Sequence, residues 1–208
     1  MLSLYVQTCS QEDSPVEGEP AWTNPFVSSI FGIYVQGEEG TVPRAYVNSG
    51  GSEISIPGVE AYSCQSETEV LAKFWDHLKR GPTESLLTYN GRKFTVPFLY
   101  LRSALNGVEI GNPDLLRERY KIGIHIDVAD ALTFHGILPK PSLAQVTGLL
   151  KLEMPALKEG ESLQKLLRNA LEQPAPALLQ LLARNGIEYV RLIDRIGRFW
   201  RKSLKAAF

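Results

Sequence analysis

Four potential metal ligands lie close together near the middle of the chain, in the segment HIDVADALTFH. They are His125, Asp127, Asp130 and His135, and imidazole and carboxylate groups are common ligands of divalent metals. In a strand followed by a helix, His125 and Asp127 share one strand face, whereas Asp130 and His135 belong to the helix. The usual behaviour of such residues favours a structural interpretation, with Asp127 or Asp130 capping the helix and the histidines partly buried.

Other chemical signatures are absent from the sequence. It contains no GxGxxG, GxxxxGK[ST], GxSxG or HExxH pattern, so the common nucleotide-binding, acyl-transfer and zinc-protease motifs are excluded. Cys9 and Cys64 are far apart and form no CxxC pair, which argues against a disulfide framework or a cysteine zinc site. We expect both cysteines to be small core residues.

The charge of the chain is unevenly distributed. Residues 1–80 carry 4 Lys and Arg against 11 Asp and Glu, whereas residues 81–208 carry 18 against 12, so net charges of −7 and +6 underlie the total of −1. We therefore expect a polyanion to meet the second part of the chain.

A basic stripe runs along the last predicted helix. Residues Arg191, Arg195, Arg198, Lys202 and Lys205 recur every three or four positions, and Arg184 lies in line behind them. The opposite face carries the apolar and aromatic residues Tyr189, Ile193, Ile196, Trp200 and Leu204. Such a stripe suits phosphate contacts. A solvated face or a surface for an acidic protein partner is an equally open interpretation.

Strands come first in the chain and helices then alternate with later strands. We predict strands at 2–8, 26–35, 44–47, 85–89 and 122–126, and helices at 66–80, 96–105, 128–134 and 142–150. From 161 onward the chain is mostly helical and is broken by Pro174 and Pro176. Ser66 and Glu69 fit a capping box at the start of the first helix. The pattern predicts a mixed sheet covered by helices.

The composition is that of a soluble globular protein, with 44% hydrophobic residues and no run approaching the roughly 18 apolar residues of a membrane span. The N-terminus has no basic region before its apolar run, which argues against a secretory signal. We expect a cytoplasmic protein without membrane association.

The segment YNGRKFTVPFL resembles the second motif of the predicted 3′–5′ exonucleases related to the proofreading domain of family B DNA polymerases. In that motif Asn-Gly-Arg follows an apolar strand and precedes Phe-Asp, an apolar residue and Pro. The matching residues are Tyr89, Asn90, Gly91, Arg92, Phe94, Pro97 and Leu99. Thr95 stands at the position of the metal-binding Asp.

Other segments resemble the family in the same order along the chain. LYVQT lies where the family has Asp-x-Glu-Thr, which places Tyr5 at the Asp, Gln7 at the Glu and Thr8 at the Thr. HIDVADALTFHG resembles the HxDL segment, and SLAQVTGLL resembles the helix after it. IEYVRLID resembles the last motif, which places Ile193 at the Asp position and Asp194 one residue later.

The resemblance implies a ribonuclease H-like α/β fold, with a mixed sheet of about five strands flanked by helices. We expect this exonuclease-type domain at 1–160 and a helical C-terminal part at 161–208 packed on the same domain. The family's chemistry is two-metal phosphodiester hydrolysis by four carboxylates. Tyr5, Gln7, Thr95 and Ile193 offer no carboxylate, so we expect no two-metal site. Asp194, Asp127 and Asp130 could hold at most one weakly bound ion.

Three hypotheses about function follow. The first is a catalytically silent exonuclease fold that binds single-stranded DNA or RNA, or a replication or repair protein, without a cofactor. Its candidate nucleic-acid contacts are Asn90, Arg92, Lys93, Arg191, Arg195, Arg198, Lys202 and Lys205. The second is a residual nuclease that uses Mg²⁺ or Mn²⁺ at His125, Asp127, Asp130 and His135. The third is a protein–protein assembly module that binds no nucleic acid.

Overall fold

A six-stranded mixed sheet forms the centre of the molecule. The computed structural model describes residues 1–10, 20–80, 85–113, 115 and 125–203, without the side chains of 80, 201 and 203. The strands are β1 (Leu2–Ser10), β2 (Ser28–Gln36), β3 (Arg44–Asn48), β4 (Glu60–Cys64), β5 (Leu86–Thr88) and β6 (His125–Asp127). Their order across the sheet is β4-β3-β2-β1-β5-β6. The expected mixed sheet is confirmed.

The first three strands form an antiparallel meander, as the sequence predicts. The remaining pairs, β3 with β4, β1 with β5 and β5 with β6, are parallel. The sequence pattern does not predict β4, because its five residues EAYSC are short and mostly half-exposed or exposed. The sheet therefore has one strand more than the five that the sequence predicts. Residues 122–124 of the predicted last strand lie outside the described part.

Six α-helices are assigned within the described ranges and accompany the sheet. They are α1 (Glu67–Arg80), α2 (Thr95–Leu105), α3 (Val128–Leu132), α4 (Leu143–Leu149), α5 (Glu161–Glu172) and α6 (Pro176–Ser203). A short 3-10 helix, Ala21–Thr23, lies between β1 and β2. None of the helices in the described ranges is long and apolar enough to cross a membrane.

The starts of two helices follow from their sequences. Ser66 Oγ accepts the N–H of Glu69 at the start of α1, whereas the Glu69 carboxylate accepts from Gln65 N rather than from Ser66. The capping box is therefore only half formed. Pro174 separates α5 from α6, and Pro176 is the first residue of α6, a position where proline costs no helical hydrogen bond.

Two hydrophobic clusters cover the two faces of the sheet. Strand alternation sends Leu4 and Val6 to the cluster shared with α1 and α2, whereas Tyr5 and Cys9 join the cluster shared with α5 and α6. Cys9 and Cys64 are both buried with unpaired thiols, as expected of core residues.

Helix α6 lies close to β1 and β2 because it carries glycine at the contact. A Cβ added at Gly186 would come within 2.2 Å of the Tyr34 ring, which is fully buried. The small residue lets the helix axis approach the sheet. This approach sets the position of the side chains that α6 directs at β1.

Candidate functional site

One cavity collects the four positions at which the resemblance places carboxylates. It has a volume of about 520 Å³, and Tyr5, Gln7, Thr95 and Ile193 all line it. The four residues come from β1, the start of α2 and the middle of α6, so only the fold brings them together. We call this space the β1 cavity.

Tyr5 projects from β1 into this cavity and packs on α6. Its ring stacks on that of Tyr189 with centroids 4.7 Å apart, and its hydroxyl donates to Glu159 Oε1 at 3.0 Å. Burial and the neighbouring carboxylate raise the pKa of Tyr5 well above its usual value. The family's Asp position therefore holds a neutral phenol.

Gln7 lies next to a bulge in β2, because Gln7 pairs with Gly32 and Thr8 with Ile30, which leaves Phe31 as the extra residue. Its Oε1 accepts from the Tyr34 hydroxyl at 2.9 Å, whereas its buried Nε2 has no hydrogen-bond partner among the described residues. Only 2% of the residue is exposed. A buried amide N–H without a partner costs free energy, so this group is an unused donor on the cavity lining.

Asp194 is held away from the β1 cavity, although its neighbour Ile193 lines it. Its Oδ1 accepts from Ser3 Oγ at 2.9 Å, and its Oδ2 accepts from Arg198 Nε at 2.6 Å. The carboxylate is thus engaged in a structural contact between α6 and β1. As placed, it supplies no ligand to the cavity.

In the candidate metal cluster, the Asp127 carboxylate accepts hydrogen bonds from the protein backbone. Asp127 caps α3 by accepting from the N–H of Ala129 and Asp130, and it also accepts from Asn90 N at 2.8 Å and Arg92 N at 2.9 Å. This confirms the capping interpretation for Asp127. Burial raises the pKa of Asp127, and these backbone donors oppose the rise.

The two histidines lie in different environments. His125 is buried, with Nε2 at 2.7 Å from Thr88 Oγ1, whereas His135 is exposed and contacts Asp130 Oδ2 at 3.0 Å. Across the described ranges, no group of three or more His, Cys, Asp or Glu is placed to hold a metal ion.

Arg92 has a structural position rather than a surface one. It is buried, and its guanidinium donates to Asp130 Oδ2 at 2.6 Å and to the carbonyl of His125 at 2.8 Å. The Asn-Gly-Arg turn is thereby tied to β6 and α3. Among the predicted nucleic-acid contacts, Arg92 is thus occupied by the protein, whereas Asn90 and Lys93 line the β1 cavity.

Two charged residues at this cavity are not identified by the sequence analysis. Lys140 and Glu159 belong to no motif and reach the lining through tertiary contacts. Glu159 lies on a concave wall, where water reaches much of its surface but protein surrounds its carboxylate and raises its pKa. The hydrogen bond from Tyr5 and the charge of Lys140 oppose that rise.

The basic stripe of α6 faces outward as predicted. Arg184, Arg191, Arg195 and Lys202 are exposed, while Tyr189, Ile193 and Ile196 are buried. Arg198 is half-exposed and pairs with Asp194 and Glu39, which reduces its availability. Lys205 and Leu204 lie outside the described residues.

A groove of about 340 Å³ runs beside this stripe. It is lined by Arg195, Arg198, Lys202 and Phe199 of α6, together with Glu39, Leu150 and Leu152. Ser142 and Leu143, at the other end of α4, line the β1 cavity. One seven-residue helix, about 10 Å long, therefore separates the groove from the cavity.

Comparisons with known proteins point to one family. Residues 41–125 match the model of the DNA polymerase family B exonuclease domain, a stretch that includes Thr95 but neither β1 nor α6. DNA polymerase 1 of Saccharolobus solfataricus is 27% identical over 127 residues, an alignment that covers 55% of this chain and 14% of the polymerase. The chain thus contains a ribonuclease H-like domain similar to the exonuclease domain of family B DNA polymerases.

Proposed function

We propose that this chain is a non-cleaving exonuclease-like protein that binds single-stranded nucleic acid. The observation that carries the proposal is the β1 cavity, whose four family positions hold a phenol, an amide, a hydroxyl and an isoleucine. Two-metal hydrolysis needs carboxylates to hold both ions, and neutral groups of this kind bind Mg²⁺ or Mn²⁺ weakly. The fold is retained while the metal ligands are replaced.

The replaced residues are integrated into the protein. Tyr5 stacks on Tyr189, and Gln7 accepts from Tyr34, so each takes part in packing between β1 and its neighbours. A carboxylate at either position would need a cation for compensation. This supports the interpretation that the cavity is adapted to the absence of metal.

Nucleic-acid binding is supported by the distribution of cations. Lys93 and Lys140 are on the cavity lining, and the outward face of α6 presents Arg191, Arg195 and Lys202 about one short helix away. Helix α4 between them contains no acidic residue, so a strand that contacts both regions would meet no repelling carboxylate on that helix. Phosphate contacts of this kind give binding that weakens steeply with salt.

Fluorescence anisotropy of a labelled single-stranded oligonucleotide tests the proposal. With EDTA present, we expect a saturable rise that weakens as salt increases from about 50 to about 200 mM. A duplex of the same sequence and an acidic peptide serve as competitors. If no oligonucleotide binds but a labelled acidic peptide does, nucleic-acid binding is excluded and an acidic protein partner is favoured.

A further inference from the structure

Two lysines without ion-pair partners face the same cavity as the replaced metal ligands. Lys93 and Lys140 are exposed on the lining of the β1 cavity, and neither forms a salt bridge within the part of the chain that the structure describes. Arg92, by contrast, is paired with Asp130. The two ammonium groups are therefore available to a ligand.

The segments that carry the two lysines are held by hydrogen bonds of the stretch 89–92. The Asp127 carboxylate holds the N–H groups of Asn90 and Arg92, which fixes the chain just before Lys93. The Tyr89 hydroxyl donates to the Pro141 carbonyl at 2.7 Å, which fixes the chain just after Lys140. Partial burial lowers the pKa of Lys140, and the nearby positive charge of Lys93 lowers it further. The carboxylates of Asp127 and Glu159 oppose this decrease.

Neutral donors complete the positive side of the cavity. Gln7 Nε2 is buried, lacks a partner among the described residues and belongs to a residue of the lining. Helix α2 begins at the cavity with Phe94 and Thr95, and no side chain caps it at Phe94. This N-terminus adds partial positive charge, although Val96 N–H already donates to the Gly91 carbonyl and Pro97 has no N–H.

The remaining charge on the lining restricts where an anion can lie. The Glu159 carboxylate accepts from the Tyr5 hydroxyl and interacts electrostatically with Lys140, so it partly offsets the charge of that lysine. An anionic group is therefore favoured most strongly beside Lys93. A volume of about 520 Å³ lies within the range of small-molecule sites, so a whole nucleotide fits, with Trp22 and Tyr89 on the lining for its base.

We propose that the β1 cavity is a metal-independent site for the phosphate monoester of a nucleotide, with Lys93, Lys140 and Gln7 Nε2 supplying the positive charge and donors. The ammonium groups take the place of the divalent ions that neutralise phosphate in a two-metal nuclease. This inference rests on the proposed function and specifies its ligand. The nucleotide is free or forms the phosphorylated end of a strand, since both present the same group.

Calorimetric titration with adenosine 5′-monophosphate in EDTA tests this site. The wild-type protein is expected to bind, and Lys93→Met and Lys140→Met each weaken binding by about tenfold or more, since each removes a charge-assisted hydrogen bond. Gln7→Glu is expected to abolish binding by placing a carboxylate beside the phosphate. Lys73→Met, the same change on α1 and away from the cavity, is the matched control and leaves the affinity unchanged.

Three results would overturn the inference: no binding in EDTA, binding only with Mn²⁺, or equal affinities in wild type and both lysine variants. If the oligonucleotide still binds when the nucleotide does not, the site assignment fails and the proposed function stands. Competition by a phosphorylated oligonucleotide, but not by its unphosphorylated form, supports the site with a strand end as ligand. Failure of both oligonucleotides to compete supports it with a free nucleotide. Unfolding curves of each variant confirm that it is folded.

Discussion

Tyr5, Gln7, Thr95 and Ile193 give the β1 cavity uncharged side chains at the positions where the resemblance places carboxylates. Each is a buried residue, so a reversal to a carboxylate changes both chemistry and stability. Gln7→Glu is the mildest such change, because Glu has nearly the same shape and can still accept from the Tyr34 hydroxyl. At the residue scale, the cavity should regain metal affinity in proportion to the carboxylates restored.

The double variant Gln7→Glu, Thr95→Asp is expected to gain Mn²⁺ binding. Without metal, two buried carboxylates lower its melting temperature, and Mn²⁺ at about 100 times its Kd returns about 2.7 kcal/mol of stability. Thermal unfolding with and without Mn²⁺ measures this. Gln173→Glu with Ser55→Asp adds the same charge at exposed positions and should show no such response. If Mn²⁺ does not raise the melting temperature of the double variant, the assignment of these positions is contradicted.

His125 should make stability depend on pH. Burial and the positive charge of Arg92 lower its pKa to about 4, whereas in the unfolded chain the pKa is about 6.5. Between these values the unfolded state binds the proton and the folded state does not, so stability is complete above about pH 6.5. It decreases by up to about 3 kcal/mol as the pH falls to about 4.

Denaturant unfolding at a series of pH values compares wild type with His125→Gln. The variant should lose less stability between about pH 6.5 and about pH 4, because it has no group to protonate there. His135→Gln, at an exposed position, should behave like wild type. Equal pH dependence of His125→Gln and wild type would show that His125 is protonated without cost.

At the scale of elements, α6 connects the core, the cavity and the basic surface. Its inner face supplies Tyr189 and Ile193 to the cavity region, and its outer face supplies Arg191 and Arg195. Contact with β1 and β2 fixes its position, and Gly186 permits that contact. A change at the glycine should therefore affect the whole site.

Gly186→Ala should destabilise the protein, although alanine normally favours a helix by about 1 kcal/mol over glycine. The added Cβ would come within 2.2 Å of the buried Tyr34 ring, and overpacking of this kind costs about 1–3 kcal/mol. Gly148→Ala in α4 meets no atom within 4 Å and should stabilise slightly. Equilibrium unfolding of both variants measures the difference. Stabilisation by both would contradict the close packing of α6.

The outer face of α6 should contribute to the salt dependence of strand binding. Arg191→Gln with Arg195→Gln should reduce the slope of log K against log salt by about 0.7 for each phosphate of a single strand that is no longer neutralised. Lys73→Gln, on α1 beside the other core cluster, serves as the control. If anisotropy gives unchanged slopes for the α6 variant, then α6 is only a solvated face.

At the scale of the whole molecule, the sequence predicts the helices and strands better than it predicts the tertiary contacts between them. The capping residue Ser66 of α1, the proline break before α6 and the two faces of α6 are local patterns, and the structure confirms them. Residues that depend on distant partners are not predicted in the same way. Arg92 has the type of a surface cation, but Asp130 and the His125 carbonyl bury it.

The cavity itself is a second case. Four family positions are identified from short motifs, yet Lys140 and Glu159 join them only because Tyr89 and Tyr5 bond to their segments. Their neighbours in sequence give no sign of these contacts. The short edge strand β4 is not predicted from the sequence for a similar reason. Its residues form a strand because they pair with β3, not because their own pattern predicts one.

The central claim is that the fold persists without cleavage, and a time course with an end-labelled single strand tests it most directly. In Mn²⁺, the wild-type protein should bind the strand and leave its length unchanged. Shortening from the 3′ end, dependent on Mn²⁺ and abolished in Glu159→Gln, would contradict the claim. It would show that the carboxylate on the cavity lining supports hydrolysis.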